Sequence, residues 1–140
     1  MRRRHKARRW VLQILYAWEI QRRPGRLADE ARVFFERRRI GPETRGFAEE
    51  LVGALDRHIQ EIDRLLATSA ENWDLERMSI IDRNVLRLGL AELLYFPDIP
   101  FKVSIDEAVT LARRYGGHDS PRFVNGVLDA AAHRLDLIPS

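Results

Sequence analysis

Apolar residues recur at spacings of three and four along almost the whole chain, and this pattern restricts the fold more than any other feature. Ala7, Trp10, Val11, Ile14, Leu15 and Trp18 fall on one helical stripe, which Pro24-Gly25 ends. A shorter segment carries Leu27, Ala31, Phe34 and Phe35 and stops near Gly41. Pro42 suits the first position of a third helix, in which Phe47, Leu51, Leu55, Ile59, Ile62 and Leu66 form the stripe. The pattern breaks from Ala67 to Met78. Ser79, followed three residues on by Asp82, then signals a helix over 80–96. Apart from Asp82, Arg83, Asn84, Arg87 and Glu92 that helix is apolar on nearly every side, as a buried central helix is. Ser104-Ile105-Asp106-Glu107 reads as a capping box opening a fifth helix, with Ile105, Ala108, Val109 and Ala112 inward and Gly116-Gly117 at its end. Ser120 as N-cap and Pro121 after it open the last helix, which buries Val124, Val127, Leu128, Ala131 and Leu135. No alternating pattern of useful length suggests a strand. The chain is expected to be all-α: two small bundles of about three helices each, packed into one compact unit. Residues 1–75 and 76–140 are the expected subdomains.

Composition and motifs narrow the chemistry. The 140 residues, 45% of them apolar, can bury a core without disulfide staples. The absence of cysteine excludes a disulfide framework, cysteine-ligated zinc and a thiol nucleophile. No segment approaches the roughly 18–20 uncharged apolar residues that span a bilayer. The stretch Trp10 to Ala17 carries Gln13 and precedes Glu19, without a small-residue cleavage site, so a signal peptide is not expected and the cytoplasm is. There is no glycine-rich phosphate loop, and His5, His58, His118 and His133 are too scattered for a helical metal pair. His118-Asp119-Ser120 holds triad residue types, but three consecutive residues cannot normally line up nucleophile, base and orienter. Neither catalysis nor a cofactor is expected.

Charge points elsewhere. Residues 1–45 hold 14 Lys/Arg against 5 Asp/Glu, while residues 46–140 hold 10 against 16. This asymmetry suggests a polyanion at the basic end and a different partner elsewhere. Arg2, Arg3, Arg4, Lys6, Arg8 and Arg9 crowd the first nine residues with no acid among them. Cations set against phosphates release condensed counterions, and arginine stacks on unpaired bases, so single-stranded RNA suits this segment. A solvated tail, or one that meets acidic lipid, competes with that reading. Mutual repulsion predicts an arm that is frayed when free.

A second candidate is the Gly116–Phe123 loop and helix start. Backbone N–H groups there can donate to a phosphate, Arg122 adds a cation, and Phe123 is either a stacking platform or core. Asp119 opposes phosphate but favours the helix dipole.

Three segments carry a resemblance to the NusB family: Ile81-Asp82-Arg83-Asn84-Val85-Leu86-Arg87-Leu88, Pro100 to Val109 (Pro-Phe-Lys-Val-Ser-Ile-Asp-Glu-Ala-Val), and Phe123-Val124-Asn125-Gly126-Val127-Leu128-Asp129. The arginine run followed by Leu15-Tyr16-Ala17-Trp18 is similar as well, whereas residues 22–72 match only as helices. The resemblance implies a non-enzymatic antitermination factor with two helical subdomains. It implies binding to boxA RNA together with the ribosomal protein NusE, in a complex on RNA polymerase, and it allows a homodimer. It places Arg2, Arg3, Arg4, Lys6 and Arg8 on RNA, with His5 interrupting the run, and Asp119 near the RNA. It pairs Asp82 with a basic residue of NusE and places Tyr16 on the same partner face. Asp82 is also, by sequence alone, the third residue of a helix opened by Ser79, which needs no partner to explain it. A NusB-like domain of a ribosomal RNA methyltransferase is the alternative; it requires a further domain with a glycine-rich cofactor loop.

Overall fold

Val85, Leu86, Leu88 and Leu90 are at most 1% exposed, and each such burial contributes roughly 1.5–3 kcal/mol, so the helix that carries them organises the molecule. The computed structural model describes residues 2–21, 25–73 and 78–138, with only the backbone of Arg2. The helices are α1 (Arg2–Glu19), α2 (Leu27–Arg37), α3 (Gly46–Ser69), α4 (Ile80–Tyr95), α5 (Phe101–Tyr115) and α6 (Ser120–Arg134). No strand occurs among the described residues. Helix α4 packs against α1, α3, α5 and α6, and every residue from Asn84 to Leu93 is buried. Its start is set as the sequence predicts: Ser79 Oγ accepts the Asp82 N–H at 3.1 Å. Gly89 lets α6 approach closely, because a Cβ there would stand 2.9 Å from Leu128 Cδ1.

The polar residues of α4 tie α1 down at both ends. Glu92 accepts from Arg8 Nε at 2.7 Å and from Arg8 Nη2 at 2.8 Å. Near the opposite end of α4, Arg83 donates to Glu19 at 2.9 Å, and Arg87 donates to Glu19 and, in a bidentate pair at 2.8 and 3.0 Å, to Asp63 of α3. Burial opposes the Arg87 charge, but Asp63 and Glu19 outweigh it and hold the guanidinium above its ordinary pKa. Contacts from residue 8 to 92 and from 19 to 83 run α1 antiparallel along α4.

Several boundaries differ from the sequence reading, each for a local reason. Helix α3 begins at Gly46, not Pro42; residues 42–44 form a turn, and Arg45 braces it by donating to the Ile40 carbonyl and to Glu49. Helix α5 begins at Phe101, so Ser104 is not a cap. Ser104 is buried inside the helix, where its hydroxyl donates to Glu92 at 2.8 Å. Ser120 is likewise not the cap of α6: Asp119 holds that position without a side-chain bond, and Ser120 Oγ accepts the Gly117 N–H at 2.9 Å. That tight loop needs Gly116, where a Cβ would lie 2.5 Å from Ser120 Oγ and 2.8 Å from the Ala112 carbonyl. Leu135 is only half-buried, just past the end of α6. The expected break near Ala67–Met78 begins where α3 ends at Ser69, and residues 74–77 lie outside the described residues, as does Pro24. Three helices precede that stretch and three follow it, and one continuous apolar cluster draws on both sets.

Candidate nucleic-acid interface

The arginine run is not a frayed extension but the first part of α1. Two attachments explain why. Ala7, Val11, Ile14 and Leu15 are buried on one face, and Arg8 lies on that same face, three residues before Val11. Arg8 is 2% exposed, and its guanidinium is engaged by Glu92. This burial contradicts its expected place among the RNA contacts: it cannot reach a phosphate without leaving the buried Glu92 carboxylate with only the Ser104 hydroxyl. Glu107 of α5 extends the attachment, with Oε2 2.7 Å from His5 Nδ1 and Oε1 3.7 Å from Arg8 Nη1.

Three of the other cations face outward. Arg3, Arg4 and Lys6 are exposed and Arg9 is half-buried. The side chain of Arg2 lies outside the described residues. Aromatic rings underlie two of them: the Arg4 guanidinium sits 4.8 Å from the Phe47 ring centroid and the Lys6 ammonium 5.6 Å from that of Trp10. The helix thus presents its positive charges in a fixed array rather than on a coil.

The second candidate is a groove of about 520 Å³ between the start of α4 and the loop that leads into α6. Asp82, Asp119 and Phe123 line it, together with Trp73 and Met78. Phe123 is half-buried, packing both on the core and edge-on against Trp73, with ring centroids 4.6 Å apart. Trp73 is 51% exposed. Sequence reading missed Trp73 because it falls where the helical pattern breaks; a large aromatic in such a break was the available signal. Arg122 and Asp119 are exposed at the head of α6. Asp82 Oδ1 is buried without a hydrogen-bond partner among the described residues. Two acids that the resemblance gives to different partners thus share one groove.

Tyr16 stands apart from both. It is 41% exposed and lines an apolar cleft with Leu12, Phe34, Ile81 and Tyr115. Ile81 and Asp82 are consecutive, so the cleft and the acidic groove each take one lining residue from the first turn of α4. Among the described residues, no cluster of His, Asp or Glu could hold a metal, and no helix is long and apolar enough to cross a membrane.

What this surface offers a ligand is ordered positive charge and flat aromatic area, so fold and site together define an all-helical binding protein. The chain belongs to the NusB family, whose model matches residues 5–133. The transcription antitermination protein NusB of Trichlorobacter lovleyi is 44% identical over 126 residues, which cover 90% of this chain and 87% of that protein. That of Myxococcus xanthus is 54% identical over 95 residues, 68% of each chain. Among solved structures, NusB of T. maritima superposes with a TM-score of 0.83 at 35% identity, covering 93% of this chain and 90% of that one. A chain from the crystal structure of the antitermination factors NusB and NusE in complex with double-stranded RNA superposes with a TM-score of 0.82 at 29% identity, over 96% of this chain and 98% of that one.

Proposed function

We propose that this protein is an RNA-binding transcription antitermination factor that binds boxA RNA together with NusE, in an antitermination complex on RNA polymerase that promotes ribosomal RNA transcription. It acts in the cytoplasm as an adaptor without catalytic activity, and its helices α1–α3 and α4–α6 serve as the two subdomains. The observation that carries this reading is the match over nearly the full length of both chains to the NusB structure solved with NusE and RNA. Arg2, Arg3, Arg4, Lys6 and Arg9 contact phosphates, while Phe123, with Arg122 beside it, receives a base. Asp82 and Tyr16 face NusE. The exposure of Arg3, Arg4, Lys6 and Trp73, with Phe123 half-buried beside that tryptophan, supports these assignments.

Titration with a boxA RNA, with and without NusE, tests the reading. Binding is expected to be tighter with NusE present, with log affinity falling linearly in log salt at about −0.7 per phosphate contacted on a single strand. No binding under either condition would overturn it.

Asp119 gives a finer test. It makes no capping bond, so Asp119→Asn is expected to leave the melting temperature nearly unchanged. Removing its charge beside RNA should tighten binding by about 1 kcal/mol or less, given surface screening. Unaltered RNA affinity with lowered stability would instead make Asp119 a helix-dipole residue only.

A further inference from the structure

Two of the α1 cations already assigned to RNA, Arg3 and Lys6, open onto a cleft whose other residues the preceding assignments do not use. It has a volume of about 330 Å³ and runs between α1 and the turn joining α2 to α3. Arg3, Lys6 and Arg39 line it with Trp10 and Thr44, and no carboxylate does. Nor does any carboxylate among the described residues form an ion pair with these three cations, although Arg45, next to Thr44, pairs with Glu49. Three like charges converging on a small concavity repel one another unless an anion joins them.

The backbone at Arg39 adds an independent observation. Helix α2 closes with the paired bonds of a Schellman motif: the Arg39 N–H donates to the Glu36 carbonyl at 3.2 Å, and the Ile40 N–H to the Phe35 carbonyl at 3.1 Å. Arg39 occupies the left-handed position of that motif, at φ 54°. Glycine takes this conformation freely, whereas a residue with a side chain is strained in it. The turn alone would be better served by glycine, so the arginine is explained by what its side chain does in the cleft.

We infer that Arg3, Lys6 and Arg39 form a phosphate-binding cleft that carries the RNA backbone from α1 onto the α2–α3 turn. This deepens the RNA-binding reading and rests on it. Continuity with the cationic end of α1 commits the site to RNA rather than to an acidic protein.

The test compares the full chain with its Arg39→Gly, Arg39→Lys and Arg4→Ala variants, using a boxA RNA oligonucleotide across a salt series. Arg39→Gly is expected to raise the melting temperature by relieving the strain, yet to weaken RNA binding severalfold and flatten the salt slope by about 0.7. Arg39→Lys keeps the charge and should keep the slope. Stability and affinity moving in opposite directions cannot come from a purely structural residue. Arg39→Asn, which tolerates the left-handed region and lacks the charge, gives the same binding result should the glycine variant fold poorly. The cleft assignment is overturned if Arg39→Gly or Arg39→Asn binds RNA with wild-type affinity and slope while Arg4→Ala is impaired. If Arg4→Ala and the Arg39 variants all bind normally, the RNA reading of α1 itself fails. Competition by polyglutamate as strong as that by RNA of equal charge would overturn the choice of RNA.

Discussion

Arg8→Ala is expected to destabilise the protein by about 3–5 kcal/mol, the cost of leaving one partner of a buried ion pair uncompensated. Whole domains of this kind are stable by only about 5–15 kcal/mol, so the loss should be plain in urea or thermal unfolding. The size follows from the surroundings. Glu92 is 1% exposed and would keep one partner, the Ser104 hydroxyl, after losing two charge-assisted bonds. Glu92→Ala should cost a similar amount, for it leaves the buried guanidinium with only its longer contact to Glu107. Replacing both partners together, Arg8→Met with Glu92→Leu, should recover most of the loss, since an apolar pair of similar volume carries no desolvation penalty. The double variant also separates packing from RNA contact. Because Arg8 does not reach the surface, a folded Arg8→Met/Glu92→Leu protein should bind RNA nearly as well as wild type. A well-folded double variant with much weaker RNA binding would restore Arg8 to the RNA surface. An Arg8→Ala protein as stable as wild type would show that the pair contributes nothing.

That pair also shows where reading from sequence stops. Periodicity locates α1 and α4 because their apolar stripes are local, and Ser79 marks the start of α4 because capping is local too. The Arg8–Glu92 pair spans 84 residues, and nothing short-range reveals it. Hence an arginine on the buried stripe was counted with its solvent-facing neighbours. A clue existed: Arg8 falls on the Val11–Leu15 face, and Glu92 is an acid in an otherwise apolar helix. Ser104 misled for the same reason. Its spacing to Glu107 fits a capping box, but its hydroxyl is committed to Glu92 on another helix. At Pro42 the residue suits a helix start, but the Arg45 bracing delays the helix to Gly46. Of the candidate site, single residues were legible and their grouping was not. Asp82 and Asp119 come from different helices, and only tertiary packing sets them in one groove with Trp73.

That shared groove sharpens the prediction for the two partners. Replacing Arg3, Arg4, Lys6 and Arg9 by alanine should weaken RNA binding by roughly 1,000-fold, at about 1 kcal/mol for each solvent-screened contact to phosphate. The salt slope should flatten by about 3, because four phosphates would no longer be neutralised. The variant leaves His5 and Arg8 on Glu107 and Glu92, so α1 stays attached and the melting temperature should change little. NusE binding should persist. Asp82→Arg should do the opposite, because a cation set against a basic partner surface costs several kcal/mol, and NusE binding falls sharply. The cap of α4 survives this change, since Ser79 Oγ accepts a backbone N–H of residue 82, not its carboxylate. At the helix N-terminus a favourable charge is exchanged for an unfavourable one, each about 0.3–1 kcal/mol. RNA binding by the isolated Asp82→Arg protein should hold or tighten by about 1 kcal/mol or less, because the new cation lies in the groove that also holds Asp119 and Phe123. Full RNA affinity with an unchanged slope in the four-residue variant would remove α1 from the RNA surface. A folded Asp82→Arg protein that binds NusE normally would remove Asp82 from the NusE surface and leave it as the acid of a helix terminus.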